Sequence, residues 1–352
     1  MVPAAALMLL GLNAGLLLIG VPMPVLAAPD LHSALLVFGF VGTLISLERA
    51  VALRAGWAYG APALLAAGSV LTVTGLPVLA GKVVIASGLA VHAMQYRAIW
   101  RRQPMTATAV QASGAVAAVA AGVAWCGGVP PTRLVPLLAV FLILTIAGER
   151  LELARVIGPG ARAERMLLIL SVALAASALL TLTMPAVAVP VAGIVLLLMV
   201  AWLLRHDIAR GTIRQRGLPR FVAVCVFLGY GWLIVAGAGW LLGGVRTEGP
   251  VYDATTHAIF LGFVITMIMA HAPLILPAVL HVSIPYRPAL AAPVALLQVS
   301  LLVRVVAGDA WQFTPALQAG GVGAAVAILL FAATAVTVSL GEWERKRPRV
   351  AA

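Results

Sequence analysis

The chain is a succession of apolar runs, each long enough to cross about 30 Å of hydrocarbon as a helix, and this leaves few folds open to it. Twelve such runs stand out, near 4–26, 32–53, 61–80, 83–100, 106–126, 134–154, 166–184, 187–205, 221–243, 255–280, 288–307 and 316–340. Hydrocarbon offers the backbone no water to bond with, so runs of this length are expected to be helical. Hydrophobic residues make up 63% of the chain and charged residues 10%, with a mean hydropathy of +1.10, well outside the soluble range. No long polar stretch interrupts the series. The expected fold class is all-α: a polytopic integral membrane helix bundle of about twelve transmembrane helices, with residues 1–352 forming a single integral membrane domain.

The formal net charge is +12, and its distribution points to the lipid bilayer, with no nucleic acid partner required. If the N-terminus is cytoplasmic, alternate connections hold 19 of the 23 Lys and Arg residues, among them Arg97, Arg101, Arg102, Arg155, Arg162, Arg165 and the arginines from Arg205 to Arg220. Only Lys82, Arg133, Arg246 and Arg304 remain for the other side. The positive-inside rule therefore places both termini in the cytoplasm and, for a bacterial chain, the protein in the inner membrane. The first run ends in Pro24-Val-Leu-Ala-Ala-Pro29, which resembles a signal-peptidase site. Its start carries no basic residues and its apolar stretch is long, so retention as a helix is expected. Cys126 and Cys225 fall in separate spans without CxxC spacing, and structural burial is expected of both.

Histidine is the residue type that points to chemistry. His32, His92, His257 and His271 lie within spans or at their first turns, and His281 lies just past one. An ionisable group at membrane depth costs about 3 kcal/mol on insertion scales, so it normally faces a bundle interior and serves a function. His206 is expected to be a solvated residue of the longest cytoplasmic loop, 206–220. His257 and His271 are 14 residues apart. On an ideal α-helix that places them within about 40° of one face and about 21 Å apart along the axis. Depth matching suggests an outer pair, His32 with His257, and a deeper pair, His92 with His271. Bis-histidine haem, or haem with copper, needs about this inventory. The plainer reading is an interfacial histidine at each helix start and interhelical hydrogen bonds from the deeper two.

Other polar residues carry similar pairs of readings. Arg304 can meet a haem propionate or snorkel to the interface. Glu48-Arg49 and Glu149-Arg150-Leu-Glu152 can form ion pairs at the inner rim; the functional rival is a proton entry path through Glu48 and Glu149 to the deeper site. His281 is expected to be structural. Pro273 and Pro277 are expected to kink the tenth helix and free carbonyls. A P-loop, a GxGxxG after a strand, an HExxH and a Ser-His-Asp arrangement are all missing from the sequence, and no histidine spacing supports zinc.

Three segments resemble the NnrS family. His32-x5-Phe38-Gly39-Phe40 is similar to that family's early histidine-plus-FGF signature. His257-Ala258 with Gly262 and Met267 is similar to its later HAxxxG…M helix, and Leu301-Leu-Val-Arg304-Val-Val-Ala to its LLRVLA-like segment. These cover both ends of the chain, while the middle matches in hydropathy alone. NnrS-like proteins are polytopic bacterial membrane proteins reported to contain haem and copper and linked to nitric oxide and nitrosative stress. They are distant neighbours of the haem-copper oxidase core subunit. The resemblance implies haem, and copper beside it, acting on a small gaseous ligand such as nitric oxide, with a redox partner protein. Here Ala34 and Leu35 stand where the early motif carries a second histidine and an acid. The family's Gly-His-Thr-Gly-Arg stretch and the oxidase's adjacent His-His pair are not reproduced, so oxygen reduction is not expected. Binding, redox processing and electron transfer all fit the pattern, and so do two other classes: a transporter or cofactor-handling protein using the histidines as a relay, and a subunit that anchors a partner.

Overall fold

The computed structural model describes residues 2–25, 29–74, 77–155, 158–280 and 285–346. Twelve long helices run through them: α1 (Val2–Leu18), α2 (Pro29–Leu53), α3 (Gly56–Val73), α4 (Val78–Arg102), α5 (Thr106–Cys126), α6 (Pro131–Ala154), α7 (Ala161–Leu180), α8 (Pro185–His206), α9 (Leu218–Gly243), α10 (Pro250–Pro277), α11 (Pro288–Ala310) and α12 (Thr314–Lys346). There is no strand among the described residues. Eleven of the helices are long and apolar enough to span a membrane, and the protein is a multi-pass, all-α membrane bundle.

Two expected boundaries move for identifiable reasons. α1 stops at Leu18, not near residue 26, because Gly20 takes a positive φ of 77° and Pro22 and Pro24 follow it. Its 17 residues make it the shortest of the apolar helices. The run expected over 61–80 is α3, ending at Val73, and α4 begins at Val78. Pro77 lies between them, and it lacks the N–H needed to continue a helix.

Three helices are not α-helical throughout. Leu35–Gly42 in α2, Ala258–Ile265 in α10 and Val303–Ala310 in α11 are π-helical, with each turn closed five residues on. π-Turns of this kind are frequent at functional sites.

The chain divides into two compact units whose boundaries fall inside α9 and α10. The first comprises Met1–Asp207 and Ala236–Thr256, the second Ile208–Val235 and His257–Ala352. In the first unit α6 is the central helix, with Leu137 to Leu144 enclosed on every side. Small residues bring its neighbours close. A Cβ on Gly114 of α5 would stand 2.8 Å from the Phe141 carbonyl, and one on Gly68 of α3 would stand 2.9 Å from the Gly81 carbonyl of α4. Close backbone approach through small residues is how helices pack where lipid removes the hydrophobic driving force. In the second unit Trp232 of α9 lies flat on Gly262 of α10, and Tyr230 stacks on Phe263 at 6.4 Å.

Candidate functional site

His92 occupies the core of the first unit. It is 1% exposed, with Tyr96 edge-on at 5.0 Å and Phe141 of α6 at 5.8 Å. Its tautomer follows from the hydrogen bonds around it. Gln95 Nε2 donates to the Ser46 carbonyl at 3.0 Å and the Ala58 carbonyl at 2.8 Å, which fixes the amide and turns Oε1 toward the imidazole. His92 Nδ1 meets that oxygen at 2.8 Å and therefore carries the proton. Nε2 is left as the basic nitrogen, buried and without a hydrogen-bond partner. An imidazole held through Nδ1–H by a fixed acceptor is the usual arrangement of a ligating histidine. At 1% exposure, however, the ring borders no space the size of a porphyrin.

A charged cluster lies in the same unit. Arg49 Nη2 bridges Glu149 at 2.7 Å and Glu48 at 3.1 Å. Of the ion pairs read from the sequence, Glu48–Arg49 forms within α2, and Arg49 also reaches across to Glu149 of α6. Arg150 turns instead to Asp207: Nε donates to Oδ2 at 2.8 Å and Nη2 to Oδ1, and both residues are buried. Three buried polar atoms of α2, α4 and α5 find no hydrogen-bond partner: Arg49 Nε, His92 Nε2 and Gln111 Nε2. Such orphans are uncommon in native interiors and gather where chemistry or internal water is expected.

His32, also in the first unit, is half-buried at the start of α2. Its Nδ1 lies 2.7 Å from the Gly11 carbonyl of α1. A carbonyl only accepts, so Nδ1 is the donor and Nε2 the basic nitrogen. The ring rests on Gly15, where any side chain would displace it.

The second unit holds His257, His271 and Arg304. His257 immediately precedes the π-helical stretch of α10 and is half-buried. His271, also half-buried, sets Nδ1 2.8 Å from the Met267 carbonyl one turn back, again leaving Nε2 basic. The widened turns between the two histidines advance less than 100° per residue, so the shared face expected from ideal α geometry does not carry over. α10 continues through Pro273 and Pro277, and Pro273 leaves the Met269 carbonyl without its intrahelical donor. Arg304 is 5% exposed, and its Cβ packs on Gly320 of α12.

The π-helical stretch of α10 is held by a neutral chain of hydrogen bonds. Trp232 Nε1 donates to Gln298 Oε1 at 2.7 Å, Gln298 Nε2 to Thr266 Oγ1 at 2.9 Å, and Thr266 Oγ1 to the Leu261 carbonyl at 3.2 Å. Thr43 does the same for α2, reaching the Phe38 carbonyl five residues back at 3.4 Å. The shared string Gly39-Phe-Val-Gly-Thr43 and Gly262-Phe-Val-Ile-Thr266 is the signal that could have revealed both. Sequence reading missed it, together with Gln95 and Gln298.

Two histidines depart from the remaining expectations. His206 is not a solvated loop residue; it ends α8, half-buried, stacked on Trp202 at 4.6 Å with Nδ1 at 2.9 Å from the Trp202 carbonyl. His281 lies outside the described residues. Cys126 and Cys225 are free thiols, Cys225 buried and Cys126 half-buried. Among the described residues no three His, Cys, Asp or Glu side chains gather as a metal-ligand group. Iron in a porphyrin needs only one or two from the protein.

No curated protein and no solved structure matches the chain. A family described as a domain of unknown function (DUF8744) matches residues 1–340. That match takes in α1 to α11, most of α12 and every candidate residue described above, and the chain belongs to this family.

Proposed function

We propose that this membrane protein binds haem through its half-buried histidines and acts on a small gaseous ligand, nitric oxide first among them, as an NnrS-like component of a nitrosative-stress system in the bacterial inner membrane. The observation that carries the reading is the common set of the imidazoles. His32 and His271 each tie Nδ1–H to a backbone carbonyl, at 2.7 and 2.8 Å, and so present Nε2 as the nitrogen donor. His257, half-buried beside a π-helical turn, is the third candidate ligand. When bound, haem iron would supply reversible ligand binding and one-electron chemistry, passed to or from a redox partner protein. Arg304, buried in α11, is the candidate partner for a propionate. Copper is the second metal the resemblance implies, and His92 Nε2, buried and without a hydrogen-bond partner, is the candidate ligand for it.

Absorption spectra of the purified protein, oxidised and dithionite-reduced, with metal analysis on the same sample, test this. A Soret band with stoichiometric iron, lost or shifted in at least one of His32→Ala, His257→Ala and His271→Ala and kept in His206→Ala, is the expected result. A colourless, iron-free protein from haem-replete cells overturns it. One observation favours a second reading. The orphaned His92 Nε2 and Arg49 Nε, beside the Glu48–Arg49–Glu149 pairs, suit a proton relay in a transporter. That reading expects a colourless protein whose proton-coupled uptake falls in Glu149→Gln.

A further inference from the structure

A cavity of ≈170 Å³, partly open, lies in the first unit between α1, the chain that follows it, α2 and α3. Leu10, Val25, Leu35 and Val73 line it, and Asn13 is the one polar side chain on its described wall. Asn13 is 7% exposed, and a single residue engages its amide at both ends. Nδ2 donates to the Val25 carbonyl at 2.6 Å, and Oδ1 accepts from the Val25 N–H at 3.4 Å. The chain turns back at Gly20, and this pairing ties it to the flank of α1 with Val25 on the cavity wall. No ionisable group lines the cavity among the described residues. Leu10 precedes Gly11, whose carbonyl holds His32 Nδ1, and Leu35 lies one turn beyond His32. Cavity and histidine therefore share the seam between α1 and α2.

We infer that this cavity binds a small, neutral, apolar molecule, of the size of xenon up to benzene, taken up from the bilayer. An internal water needs about two to four polar partners, and this wall offers only what remains of one amide. A charged occupant would give up its hydration with no counter-charge to replace it. Size then selects among apolar molecules: a dry apolar cavity of about 150 Å³ holds benzene or xenon. Dissolved gases belong to this class, and one held here stands on the same helix seam as a candidate haem ligand. Naming nitric oxide as the natural occupant rests on the haem reading; the cavity itself does not.

Xenon is the probe, because it reads the cavity whether or not haem is bound. The full-length protein, methyl-labelled at Leu and Val, is placed in nanodiscs, and its methyl NMR resonances are followed as xenon pressure rises. The expected result is a saturable shift at Leu10, Val25, Leu35 and Val73, against a small linear drift at the exposed Val116 and Val123 of α5. Val73→Phe and Leu10→Phe each put a ring into the cavity from a half-buried position and should abolish the saturable shift at the other lining residues. Leu198→Phe, exposed on α8, should keep it. Should one filled variant fail to fold, the other carries the comparison. A linear drift at every methyl alike, or a saturable shift that both filled variants keep, overturns the site. So does a lipid spin-labelled at its chain end that broadens buried Leu35 more than exposed Val116, since the occupant is then an acyl chain. A colourless protein that shows the saturable shift supports the cavity while overturning the haem reading.

Discussion

The two units are held by different polar networks. In the second, Trp232, Gln298 and Thr266 form a neutral chain in which each member donates to the next, ending on a carbonyl of the π-helical turn. In the first, Arg49, His92 and Gln111 each keep one atom without a partner, beside ion pairs that gather Glu48, Glu149 and Asp207. A fully satisfied network rigidifies and specifies a structure, whereas a partly satisfied one carries a cost that structure alone does not return. The neutral chain is therefore a clamp that holds α10 in its widened turns. The charged cluster is where chemistry is to be sought.

This contrast can be broken experimentally, and the largest effect belongs to the charged side. Asp207→Ala strands the buried Arg150 guanidinium and should cost about 3–5 kcal/mol. Replacing both partners, as Arg150→Met with Asp207→Leu, should recover most of it, read as detergent-resistant folding by thermal denaturation. An equal loss in the double variant would mean that the pair does more than neutralise itself. Gly262→Ala comes next. A methyl there meets the fixed body of the Trp232 ring, so overpacking of about 1–3 kcal/mol is expected. Gln298→Leu removes two bonds of the neutral chain, and membrane hydrogen bonds average about 0.6 kcal/mol each with a maximum near 1.7, so a loss of about 1–2 kcal/mol should appear in Tm with no change in any ligand spectrum. The smallest effects are Thr43→Val and Thr266→Val, each about 0.6 kcal/mol. A collapse of the haem spectrum in Thr266→Val with stability kept would show that the π-helical turn positions a ligand and would dissolve the division between clamp and chemistry.

How much of this could be read in advance depended on the range of the interaction. Spans were readable because the cost of unpaired backbone in lipid leaves a long apolar run no choice but helix. The Glu-Arg dipeptides were readable as ion-paired, yet their partners were not. Arg49 reaches Glu149, 100 residues away, and Arg150 reaches Asp207, 57 away. His92 stood out in the sequence as an ionisable residue within a span, but nothing local announced Gln95 as the group that sets its tautomer. That Arg304 is buried against Gly320 of the next helix was likewise beyond local pattern. The π-helical turns were hidden because i→i+5 bonding uses the same apolar residues as i→i+4; only the paired Gly-Phe-Val-x-Thr strings hint at them.

The sequence by itself determined that this is a helical, multi-pass membrane protein with histidines and a few charges placed where lipid makes them expensive. That follows from composition and run length alone, because the bilayer penalises each residue by its own chemistry. Only the tertiary structure decided which nitrogen of His92 bears the proton, which carboxylate meets which arginine, and where α2, α10 and α11 widen. Those outcomes depend on acceptors and packing partners contributed by other helices, and no local pattern encodes which helix will supply them.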